Sequence, residues 1–140
     1  AITVPGGAVV SLEHDLEFGV VADIAQRHAV SWGLLLAAPM HRDVPPQALG
    51  DLYLACCDEA GVVQPAKITP RMVFEALTAI PDDLPAWYEG GDPKRGAWHP
   101  ADGAPGDDLI VWAAHRLGWP PDVTRRQRPR DLRMLLDAYA

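Results

Sequence analysis

Pro45-Pro46-Gln47-Ala48-Leu49-Gly50-Asp51-Leu52-Tyr53-Leu54-Ala55-Cys56-Cys57-Asp58-Glu59-Ala60-Gly61 is the stretch whose periodicity decides the fold. Leu49, Leu52, Tyr53, Cys56 and Ala60 recur at three-four spacing, which puts them on one stripe of an α-helix. The two prolines suit a first turn, where amides have no intrahelical partner to lose. Gly61 suits the left-handed position that closes a helix. A strand would need strict alternation, and this stretch has none. One face of the helix is therefore buried, and the rest of the chain must cover it.

The same spacing continues on both sides. Upstream, Val20, Val21, Ile24, Ala25 and His28 predict a helix over residues 18–29. Ser31 can cap a short second helix through Ala38, stopped by Pro39. Before these, Ile2-Thr3-Val4 and Ala8-Val9-Val10 flank Pro5-Gly6-Gly7, which predicts a small hairpin that must lean on helices. Downstream, Thr69-Pro70 reads as cap and first-turn proline. Val73, Phe74, Leu77 and Ile80 form the inward stripe there, and Pro81 ends it. Asp107 or Asp108 caps a further helix with Leu109, Ile110, Trp112, Ala113 and Leu117 inward, closed by Gly118. Pro129 opens the last helix, whose stripe is Leu132, Leu135, Leu136 and Tyr139. Residues 89–108 are rich in Gly, Pro and Asp without periodicity and read as a linker outside the core, Trp98 and His99 included.

The expected architecture is mainly α: about five helices with a short N-terminal β-hairpin. Residues 1–88 make the helical core, 89–108 the linker and 109–140 a C-terminal helical hairpin. A chain of 140 residues, half of them apolar, can bury a core of this kind. Its net charge of -7 counts against a general nucleic-acid binder, which must neutralise phosphates. The charge is uneven. Residues 1–90 hold four basic and twelve acidic side chains, whereas residues 91–140 hold eight and seven. Either two faces meet different partners, or one half docks on the other.

Chemistry-bearing patterns are sparse. His14, His28, His41, His99 and His115 show no metal-binding spacing. Cys56 and Cys57 lie about 100° apart on their helix and read as core or interface thiols in a reducing compartment. No nucleophile elbow, phosphate loop or dinucleotide fingerprint occurs. Asp58-Glu59, Asp82-Asp83 and Asp107-Asp108 read as caps and solvated faces. The expectation is a protein without catalytic activity, metal or cofactor. The longest apolar run, Trp32 to Met40, is too short for a bilayer, and no signal segment opens the chain, so a cytoplasmic location is expected.

Two segments invite a functional reading. Asp23 to Leu36 is similar to the middle of a helix-turn-helix, or of a LysM-type module. Its second helix, however, offers Trp32, Gly33 and three leucines where a DNA reader needs polar or basic groups. A DNA-binding regulator is kept as a further alternative. In the second segment five of the twelve basic residues, Arg125, Arg126, Arg128, Arg130 and Arg133, fall within nine positions beside Trp119 and Tyr139. This is either a packed helix pair with an exposed basic elbow or a surface that recognises a protein. The second view makes Trp112, Trp119, Arg125, Arg126, Arg128, Arg130, Leu132, Leu135, Leu136 and Tyr139 the partner-binding set, with the arginines steering an acidic partner.

Trp112, Leu117-Gly118-Trp119-Pro120-Pro121 and Asp131-Leu132 through Leu136 also resemble the ending of tail assembly chaperones of tailed phages and prophages from GC-rich bacteria. Leu52 to Val62 is similar in character. The absence of asparagine and the ten arginines to two lysines fit the codon bias of such genomes. The resemblance implies a non-catalytic morphogenesis factor that coats or solubilises a tape-measure protein before tail-tube polymerisation, or self-associates. It fits equally a structural virion component, a head–tail or tail protein, of the same gene cluster.

Overall fold

The structure, a computed structural model, describes residues 1–36, 44–78 and 107–139. It is mainly helical with one two-stranded antiparallel hairpin. In the hairpin β1 (Ile2–Thr3) pairs with β2 (Val9–Val10), Ile2 opposite Val10 and Thr3 opposite Val9. The turn between them needs two residues at positive φ, and Gly6 and Gly7 supply these at 95° and 91°. So short a hairpin gains its stability by packing. Ile2, Val4 and Val10 are buried, with β1 against α4 (Pro70–Thr78) and β2 against α3 (Pro46–Ala60).

Helix α3 is the expected one, with Ala48, Leu52, Tyr53, Cys56 and Cys57 inward. Gly61, at φ 69°, closes it as foreseen: its amide bonds Asp58 O, and the Val62 amide bonds Cys57 O. Helix α1 (Phe18–Arg27) ends with the same two-bond closure, Ala29 N to Gln26 O and Val30 N to Ala25 O. Here an alanine takes the left-handed position at φ 53°, which costs about 1 kcal/mol. Helix α2 (Trp32–Leu36) follows and lies in the core, with Trp32, Leu35 and Leu36 buried.

Two inward assignments need correction. Val20 is 37% exposed, because α1 buries the stripe Phe18, Val21, Ala22 and Ala25, and Val20 stands about 200° round from Phe18. Phe74 is 67% exposed, because α4 turns Val73, Ala76 and Leu77 inward. The α4 cap is as expected: the Met72 amide donates to Thr69 Oγ1 at 3.2 Å. Ile80, Pro81, Ala37 to Pro39 and almost all of the 89–108 linker, with Trp98 and His99, lie outside the described residues.

After α5 (Asp107–Leu117), closed by Gly118 at φ 67°, the expected basic elbow is itself a helix, α6 (Pro121–Arg126). Pro121 serves as its first residue. The last helix, α7 (Pro129–Tyr139), begins where Pro129 predicts. These helices do not form a hairpin standing apart. Leu109 and Leu132 belong to the same hydrophobic cluster as Phe18, Trp32 and Leu52, and α6 packs on both α1 and α5. Helices of one to three turns have too little internal stability to hold a separate unit, so their apolar stripes join the common core.

Candidate protein-docking site

The arginine run is tied into the fold. Arg125 donates from a guanidinium nitrogen to Asp23 Oδ2 at 2.7 Å, and Arg128 to the Asp15 carbonyl at 2.9 Å. Arg130 sends its amide to Glu13 O at 3.2 Å and its guanidinium to His14 Nε2 at 3.2 Å. Between them, Gln127 O accepts the Phe18 amide at 2.7 Å. The turn that receives these bonds is braced locally, with Ser11 N donating to Asp15 Oδ2 at 2.8 Å and His14 N to Ser11 Oγ at 3.3 Å. The C-terminal segment is thus held on the N-terminal one by the Arg125–Asp23 ion pair and by bonds to and from the backbone.

The expected partner-binding set is divided accordingly. Leu132 is fully buried, Trp112 and Trp119 are half-buried against the core, and Arg125 and Arg128 serve the fold. Arg126 and Arg130 are exposed, and Leu135 is half-buried. The side chains of Arg133, Leu136 and Tyr139 lie outside those described.

A groove lies on a different surface. Val20, Asp23, Ile24 and Arg27 of α1 face Asp51, Leu54, Ala55 and Asp58 of α3 across a groove of about 240 Å³. Each wall is an i, i+3, i+4, i+7 stripe, the pattern one helix presents to another laid along it. Val20, Ile24, Leu54 and Ala55 make the apolar part, and the exposure of Val20 is what opens it. On the far side of α3 a second hollow of about 380 Å³ shares Asp51 and Leu54 and is bounded by Ile68, Thr69, Pro70 and Val73.

Asp51 clamps one end of the groove. Its Oδ2 accepts from Arg27 and from His28 Nε2, each at 2.7 Å. Partial burial alone pushes this carboxyl up; the hydrogen bonds from His28 and Arg27 and their positive charge outweigh it, and the pKa falls below the ordinary 3.8. A depressed carboxylate contributes stability above its unfolded pKa and loses it as pH falls through the folded value. The stability gap between wild type and Asp51→Asn is therefore expected to be full at neutral pH, about 1 kcal/mol or less because Arg27 is largely exposed, and to close below about pH 4. Urea midpoints across that range test this, and a gap that stays constant into strong acid refutes it.

Cys56 and Cys57 are both buried in the core. Burial pushes the Cys57 thiol up, and the negative charge of Asp58 adds to it, which is the reverse of what a thiolate nucleophile needs. Among the described residues, no group of three His, Cys, Asp or Glu side chains is placed to hold a metal ion, and no helix is long and apolar enough to cross a membrane. The helix that would read DNA in a helix-turn-helix is α2, and Trp32, Leu35 and Leu36 spend its surface on the core. Comparison of the chain with protein-family models, with curated proteins and with solved structures gave no significant match.

Proposed function

We propose that this chain is a non-catalytic binding protein of the tail-assembly-chaperone type, which holds a helical segment of a partner such as a tape-measure protein. The groove between α1 and α3 carries the reading: two facing three-four stripes with apolar centres are the receptor geometry for an amphipathic helix. The C-terminal resemblance agrees with it in a limited way. Its residues Gly118, Pro121 and Leu132 build the helix boundaries and the core, and Arg126, Arg130 and Leu135 leave a second contact area beside them.

The test is co-purification of the full chain with the products of its neighbouring genes. Recovery of a large helical protein, lost with Leu54→Glu on the half-exposed groove wall, is the expected result. Arg125 and Arg128 are unsuitable for charge reversal, because they hold the fold. Loss only with Leu135→Asp or Arg126→Glu would move the docking to the C-terminal face. A duplex-DNA shift at moderate salt without any protein partner would overturn the reading.

A further inference from the structure

We infer that the helix seated between α1 and α3 carries basic side chains on both flanks of its apolar stripe. This rests on the reading of the groove as a protein-docking site and adds the chemistry of its occupant.

Helix α3 contributes Asp51, Asp58 and Glu59 and no basic residue. Around the groove, among the described residues, the three carboxylates of Asp23, Asp51 and Asp58 stand against two arginines, Arg27 and Arg125 from α6, with the His28 ring also on Asp51. The rim therefore keeps an excess of negative charge in a chain whose net charge is -7. Asp23 and Asp51 meet their guanidinium partners through Oδ2, and a carboxylate accepts about four hydrogen bonds over its two oxygens. Both can add a cation from a partner. Asp58 is exposed, and its Oδ1 accepts from the neutral Gln64 amide. Lysines or arginines flanking a docked helix would meet carboxylates on either wall, whereas an acidic helix would meet like charge. Arg125, the arginine of the C-terminal run that reaches this groove, does not reverse the preference, since its guanidinium is paired with Asp23 of the same chain. Asp51 to Asp58 spans about 10 Å, two helical turns, so a short segment suffices.

The probe is a pair of labelled helical peptides of about four turns with the same leucine stripe, one flanked by lysines and one by glutamates. Each is titrated against the full chain by fluorescence anisotropy. The lysine-flanked peptide is expected to bind about ten-fold tighter at low salt, with the difference collapsing near 0.5 M salt. Asp58→Lys should erase most of the preference, and Val20→Gln should weaken both peptides; both positions are exposed, and circular dichroism checks that each variant folds. Equal binding of the two peptides, both weakened by Val20→Gln, would overturn the basic flank and leave the docking site standing. Binding of the lysine peptide that neither substitution changes would also overturn it, as attraction to the acidic surface at large. Failure of both peptides to bind would overturn the basic flank together with the docking site.

Discussion

Trp32→Ala is expected to cost about 4 kcal/mol and to leave little of the native population at physiological temperature. Trp32 is fully buried in α2, and its ring meets Phe18 edge to face, with centroids 5.2 Å apart and planes at 87°. The indole is thus the piece that fastens α2 to the first turn of α1, and Phe18 in turn is held to the α6–α7 junction through its amide bond to Gln127 O. Truncation removes the transfer energy of a large aromatic side chain, the edge-to-face contact and the atoms that fill the space. Thermal melting should show a fall on the order of 10 °C or more for a domain of this size. Val63→Ala, at an 89% exposed position, is the control and should move the midpoint by less than about 0.5 kcal/mol. A near-wild-type melt for Trp32→Ala would mean that α2 is not a core element, and would return residues 23–36 to consideration as a recognition surface.

The positions of helix ends were legible in the sequence because they depend on residues within one turn. Thr69 and Pro70 start α4, Gly61 and Gly118 close α3 and α5, and Pro129 starts α7, each through a local bond or a local φ. Which flank of a helix faces inward depends on what lies beside it. That is why Val20 and Phe74, apolar and near the right phase, stand outside. Helix α6 is too short to show a period, although the pair Pro120-Pro121 marks its start. The arginine cluster was visible as a pattern, but its partners Asp23 and Asp15 are 102 and 113 residues away, and no local rule reaches that far. The groove has the same character. Both stripes can be read off the sequence as three-four mixtures of apolar and charged residues, yet only the packing of α1 on α3, fastened by a contact 24 residues apart, turns them toward each other.

Gly19→Leu is expected to release α6 from α1 at a cost of about 3 kcal/mol. Gly19 is buried, and a Cβ placed there would come within 3.0 Å of Arg125 Cβ, 3.1 Å of its carbonyl oxygen and 3.2 Å of its Nε. The guanidinium could swing aside, but the carbonyl belongs to the α6 backbone and moves only if the helix moves. Nearby bonds oppose that motion: Phe18 N to Gln127 O and Arg125 to Asp23, each at 2.7 Å. A branched side chain must therefore break the stitching rather than strain it locally. Gly19→Ala separates the two effects, because the gain of about 1 kcal/mol from replacing a helical glycine works against the three tight contacts to Arg125 and makes its net cost smaller than that of the leucine. Trypsin reports the outcome directly. Release of α6 should speed cleavage after Arg125 and Arg126 by about the factor of one hundred that 3 kcal/mol implies, while the Arg128–Pro129 bond stays resistant. A Gly19→Leu protein that resists trypsin as well as wild type would show that α6 does not depend on its seat against α1, and would free the arginines to act as the recognition surface their clustering suggests.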